Sequence, residues 1–135
     1  MIQRIQSLYL FIGAVLMVIF CFTPFATEVE SGTRHVMSEI PGLMILNIVI
    51  AALLLIAIFM FKNLKQQKTV ALLSLVLIAC SLTATIFLVY SHMQGAELYW
   101  GGGVLLLAFA LICALMAYRG ISKDHNLLKS FNRMR

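Results

Sequence analysis

Four uncharged stretches, Ile5–Thr27, Ile40–Phe61, Thr69–Ser91 and Leu98–Tyr118, each run for 21 to 23 residues. A bilayer hydrocarbon core about 30 Å thick needs about 20 apolar helical residues to cross it. Ile40–Phe61 holds fourteen Ile, Leu, Val or Phe residues. On the insertion scale they contribute about −4 to −8 kcal/mol, which outweighs the cost of Pro41, Gly42 and Asn47. A soluble helix keeps a polar face, whereas these stretches are apolar all the way round. With 135 residues, 62% hydrophobic and 11% charged, little chain is left for a water-soluble domain. The expected fold is a single all-α transmembrane domain. It is an up-down four-helix bundle with spans near 5–23, 40–61, 69–91 and 98–118, followed by a tail over 119–135.

The net charge of +5 is a statement about topology. With both termini inside, Arg4, Lys62, Lys65, Lys68, Arg119, Lys123, Lys129, Arg133 and Arg135 fall on the cytoplasmic side and only Arg34 outside. Glu28, Glu30, Glu39 and Glu97 lie outside, against Asp124 inside. Lys and Arg are retained on the cytoplasmic side during insertion, so this distribution excludes a nucleic-acid surface and predicts an inner-membrane protein. Tyr9, Tyr90, Tyr99, Trp100 and Tyr118 fall toward span ends, as interfacial aromatics do. The first span is expected to stay uncleaved. A cut after Ala26 would put Pro24 at the −3 position, where a signal peptidase site needs a small residue.

Between the first two spans, Thr27–Glu30 and Thr33–Val36 flank Ser31-Gly32, which predicts a short external hairpin with Glu28 facing His35. The short connections Lys62–Lys68 and His92–Glu97 make successive spans antiparallel neighbours. In the tail, Leu127, Phe131 and Met134 share one helical face, with Asn126, Lys129 and Arg133 opposite. That pattern predicts a cytoplasmic amphipathic helix lying on the leaflet, where each basic group gains about 1 kcal/mol from anionic headgroups.

No Asp, Glu, Lys, Arg or His lies in the interior of a predicted span. Proton-coupled pumps, voltage sensors and many ion pathways place such groups there, so those classes are disfavoured. Cys21, Cys80 and Cys113 all lie within spans with no Cys-x-x-Cys, and read as small packing residues. His35, His92 and the external glutamates lack a local ligand spacing such as His-x-x-x-His and read as a solvated acidic surface. Asn47 is the one amide near membrane depth, about 10 Å inside the outer boundary and level with Thr83 and Thr85. These three are candidates for interhelical hydrogen bonding. Gly103, Ala110, Ala114 and Ala117 form a small-residue stripe on the fourth span, a candidate for close helix packing.

The opening Met1-Ile-Gln-Arg-Ile-Gln-Ser-Leu-Tyr-Leu10, Pro24 after the first span, and the closing Tyr118-Arg-Gly-Ile-Ser-Lys-Asp124 with Leu127, Lys129, Ser130, Arg133 and Arg135 resemble one known family. It comprises small Bacteroidetes membrane proteins catalogued as domain of unknown function 4293. The resemblance implies a bacterial inner-membrane location and four helices, and carries no activity. Both signatures fall on the cytoplasmic face, which makes Gln3, Arg4, Arg119, Lys129, Arg133 and Arg135 candidates for a contact surface there. The expected role is a non-enzymatic membrane component for partner binding, assembly or envelope maintenance, without cofactor or metal. Its contacts are the bilayer, anionic headgroups, and a protein partner or second copy. The alternative is a small carrier or channel for a neutral or lipidic solute.

Overall fold

The computed structural model describes residues 2–28, 34–36, 40–60, 62–92, 98–100 and 102–133. In chain order the elements are α1 (Ile2–Phe22), β1 (Pro24–Glu28), β2 (Arg34–Val36), α2 (Pro41–Phe59), α3 (Leu64–His92), β3 (Leu98–Trp100) and α4 (Gly102–Arg133). All four helices are long and apolar enough to cross a membrane, over Arg4–Phe22, Pro41–Phe59, Leu64–Ser91 and Gly102–Phe131. Away from the terminal turns their backbone groups are satisfied within each helix, which hydrocarbon demands. α2 opens with Pro41 in its first turn, where the missing N–H costs nothing.

The principal contacts run α1 to α2, α2 to α3, α3 to α4 and α4 back to α1, which closes a ring. Each helix buries a stripe at alternating three- and four-residue spacing. α1 contributes Leu10, Ala14, Met17 and Phe20; α2 contributes Asn47, Ile50, Ala51, Leu54 and Ala57. α3 contributes Ala71, Ser74, Ile78, Ser81, Thr85 and Val89, and α4 contributes Leu107, Ala110, Ala114, Ala117 and Ile121. That spacing keeps each stripe on one face of its helix, turned toward the neighbouring helices. Many seam residues are small, whereas Phe11, Phe22, Ile45, Phe59, Phe87, Leu105 and Phe109 point outward. Lipid is as apolar as leucine, so close backbone approach, rather than escape from solvent, holds such helices together. A Cβ on Gly13 would sit 3.5 Å from Leu54 Cδ1 and 4.0 Å from the Ala110 carbonyl oxygen. At that point α1, α2 and α4 converge.

Three short strands cap one end in a sheet of order β2-β1-β3. β1 pairs antiparallel with β2 through Ala26↔His35 and Thr27↔Arg34, with an irregularity after Pro24. It pairs antiparallel with β3 through Ala26↔Trp100, Thr27↔Tyr99 and Glu28↔Leu98. The hairpin therefore exists in a different register from the expected one, since His35 faces Ala26 rather than Glu28. A lone hairpin is marginal. Here β1 has a second antiparallel partner in β3. Glu30, Ser31, Gly32, Thr33, Glu39 and Glu97 lie outside the described residues.

Two further expectations are corrected. Leu98–Trp100, expected inside the fourth span, forms β3, and the helix begins at Gly102. The Leu-Tyr-Trp triplet suits a strand, and the glycines behind it are poor helix formers. The tail, expected as a separate helix on the leaflet, continues α4 without a break to Arg133. No helix breaker lies between Ile121 and Arg133, and Gly120, the one weak point, is packed against α1 as described below.

Because Ala114 is buried in the α4 seam, Ala114→Phe should destabilise the bundle by about 1–3 kcal/mol or more through overpacking. Ile112→Phe, at a position 56% exposed on the same helix, should change stability by less than about 0.5 kcal/mol. Thermal unfolding of both variants in mild detergent checks the contrast.

Candidate functional site

Six polar side chains are buried among the described residues: Gln6, Asn47, Gln67, Ser74, Ser81 and Thr85. A polar group in hydrocarbon without a partner costs several kcal/mol, so their hydrogen bonds indicate what each does.

Toward the sheet end, α2 and α3 are joined by Ser81 Oγ, which donates to Asn47 Oδ1 at 2.7 Å. Thr85 Oγ1 donates to the Ser81 carbonyl at 2.8 Å. Asn47 Nδ2 is buried with no hydrogen-bond partner. Thr83, expected at this level beside Asn47, is exposed and donates to the Cys80 carbonyl of its own helix at 2.9 Å. The correction is geometric, because two residues are about 200° of a 3.6-residue helix. Ser81 and Thr85 face inward, so Thr83 faces out. The signal that would have found Ser81 is the run Ala71, Ser74, Ile78, Ser81, Thr85, which sets four small or hydroxyl side chains of α3 at seam spacing. Gly103, Ala110, Ala114 and Ala117 are all buried on the inner face of α4.

At the opposite, basic end, polar side chains tie the helices together. Gln67, near the start of α3, donates from Nε2 to the Ala57 carbonyl at 3.0 Å. That carbonyl belongs to the last turn of α2, where no helical N–H remains to satisfy it. Gln6 of α1 donates from Nε2 to Asp124 Oδ2 of α4 at 2.8 Å. Behind this bond lies Gly120, where a Cβ would come within 2.9 Å of Gln6 Cγ and 3.1 Å of Gln6 Nε2. A glycine thus lets the amide pass between the helices to reach the carboxylate. Gln6 and Asp124 come from the opening and closing signature segments, 118 residues apart.

Arg4, Arg119, Lys129 and Arg133, proposed as contact residues at this end, are exposed. The side chain of Gln3 and the whole of Arg135 lie outside the described residues. Clefts of about 450 Å³ and 350 Å³ open along the polar face of α4, the first bordered by Arg119, Ser122 and Lys123, the second by Lys129, Ser130 and Arg133. A third, of about 230 Å³, is lined by Leu64, Asp124, Leu127, Leu128 and Phe131. Cys21 is buried with Sγ 3.4 Å from the Met17 carbonyl, Cys80 faces outward and Cys113 is half-buried.

A family model described as a domain of unknown function (DUF4293) matches residues 2–134. No curated protein and no solved structure matches the chain.

Two substitution cycles follow from these contacts. Gly120→Ala gains about 1 kcal/mol of helix propensity, but it displaces Gln6 and so loses a charge-assisted bond worth about 1.5–3 kcal/mol. The net effect should be destabilising. In a Gln6→Ala background the sign should reverse, since only the propensity gain remains. A double-mutant cycle read by thermal unfolding in detergent checks this. At the other cluster, Ser81→Ala should cost from about 0.6 kcal/mol, the average for such bonds in membranes, up to about 3 kcal/mol if the whole Asn47 amide is stranded. Thr83→Ala should be nearly neutral, and Asn47→Leu added to Ser81→Ala should recover stability in the same assay.

Proposed function

Because the chain belongs to the family described as a domain of unknown function (DUF4293), membership brings no reaction with it, and we propose its role from geometry alone. The protein is a non-enzymatic multi-pass component of a bacterial inner membrane, an up-and-down bundle with both termini cytoplasmic. It serves partner binding, assembly or envelope maintenance. The observation that carries this reading is where the polar groups go. Inside the bundle, among the described residues, they close on one another or on helix carbonyls in separate clusters. Buried apolar side chains such as Leu10, Leu54, Ile78 and Leu107 fill the rest of the core. A conduit for ions or polar solutes needs a polar lining through the membrane. The exposed cations instead collect at the basic end, on Arg4, Lys62, Lys65, Arg119, Lys123, Lys129 and Arg133. That end meets anionic headgroups, each cation near them contributing about 1 kcal/mol, and presents the projecting α4 to a partner.

One observation favours a second reading, a carrier for a neutral or lipidic solute. The Asn47 amide nitrogen is buried without a partner, and a solute with an acceptor oxygen would satisfy it.

Purification from native membranes in mild detergent, followed by mass spectrometry of co-purifying species, separates the two. A stoichiometric protein is expected; a single retained lipid or metabolite with no protein moves the assignment to the carrier. A fluorescent reporter fused after Arg135 should light up on the cytoplasmic side.

A further inference from the structure

The polar face of α4 repeats every seven residues where the helix leaves the bundle. Arg119, Ser122, Lys123 and Asn126 border the cleft of about 450 Å³, with Tyr118 and Leu127 on its flanks. Asn126, Lys129, Ser130 and Arg133 line the next, of about 350 Å³. Seven residues turn an α-helix to within about 20° of two full turns, so the two sets share one face. Ser122 is half-buried and the other members of the stripe are exposed. Among the described residues, no carboxylate lines either cleft. Asp124, the acid at this end, lies on the opposite side of α4 and accepts from Gln6.

The two clefts differ in depth. Counted from Gly102, about 20 residues carry α4 through the hydrocarbon, to about Ile121. The headgroup layer on each side of the core is about 5–8 Å thick. Arg119 stands about 3 Å inside that limit, and Lys123 and Asn126 about 3 Å and 8 Å beyond it. The Arg119 guanidinium reaches outward on its long stem, so the first cleft lies at the level of the lipid phosphates. Lys129 and Arg133 stand about 12 Å and 18 Å out, past the headgroup layer.

We propose that the first cleft seats the phosphate of an anionic phospholipid, which rests on the reading above that the basic end meets anionic headgroups. Arg119 and Lys123 supply the charge, and the planar fork of Arg119 suits two phosphate oxygens at once. The Ser122 hydroxyl and the Asn126 amide add neutral donors. Tyr118 closes the membrane side, where amphipathic aromatics settle. The missing carboxylate is what discriminates between lipids. A zwitterionic headgroup brings an ammonium, which here meets two cations and no acid to receive it. A net-negative headgroup without an ammonium escapes that repulsion. A partner helix finds no apolar anchor along the stripe, whose members are all polar. Soluble phosphate has to compete with the leaflet, whose own phosphates already stand at this depth.

The test uses the full chain in nanodiscs of phosphatidylcholine with a minor share of phosphatidylglycerol, and native mass spectrometry of the lipids that stay bound on release. Retained phosphatidylglycerol should be enriched about tenfold over its share of the disc. Arg119→Gln with Lys123→Gln should remove most of that enrichment. Lys129→Gln with Arg133→Gln, an equal change of charge beyond the headgroup layer, should leave about half of it or more. All four residues are exposed, and an unchanged melting temperature verifies the fold of each variant. Equal loss from both pairs overturns the seat and leaves a general attraction of the basic end to anionic lipid standing. No enrichment on the wild-type chain overturns that reading as well. Displacement of the lipid by added inorganic phosphate overturns the proposal, and assigns the cleft to a soluble anion. So does a native protein released by Arg119→Gln with Lys123→Gln while the retained lipid is unchanged.

Discussion

Close approach of helix backbones is the constraint on which this structure rests. Outside the bundle the solvent is as apolar as the side chains, so burying leucine gains nothing over leaving it in lipid. What remains is packing at short range, and short range requires small residues. Ala110, Ala114 and Ala117 on α4 and Gly13 and Ala14 on α1 meet that requirement. The large residues are pushed outward, which inverts the usual order of a soluble core. Leu10, Met17, Phe20, Leu54 and Leu107 fill the spaces that the small residues leave.

The same low dielectric governs the polar side chains. Each buried amide or hydroxyl adds specificity only where it closes a bond that lipid cannot supply. Gln67 completes the last turn of α2, Ser81 links α3 to α2, and Gln6 links α1 to α4. Two of the three links lie at the basic end, where the helices would otherwise splay into the headgroups. The Gln6–Asp124 bond joins the first and last helices and so closes the ring at the end where α4 continues alone. Its position keeps α4 packed against α1 where the extension begins. Gly120 contributes by having no side chain, which gives the Gln6 amide its path.

Legibility differed sharply between levels. The four spans could be read from the absence of charge, and the ends of α2 fell within two residues of the expected limits because Pro41 and Lys62 bracket it. The inner faces were harder to read. In a helix apolar all round, hydropathy does not distinguish lipid from neighbour, and only the small-residue stripe on α4 pointed inward. Thr83 was grouped with Asn47 on depth alone, whereas the rotation of α3 gave that place to Ser81. Gln6 and Asp124 each belong to a recognisable terminal segment, but their pairing spans almost the whole chain and has no local signal.

Charge and hydrophobic length, which act on each segment separately as it meets the bilayer, were settled by the sequence alone. They determined the number of spans, their approximate limits and the grouping of cations at one end. Helix rotation and the β2-β1-β3 register at the sheet end were decided only by tertiary contacts. Each depends on partners far apart in the chain, whose small energies appear only after the helices have come together.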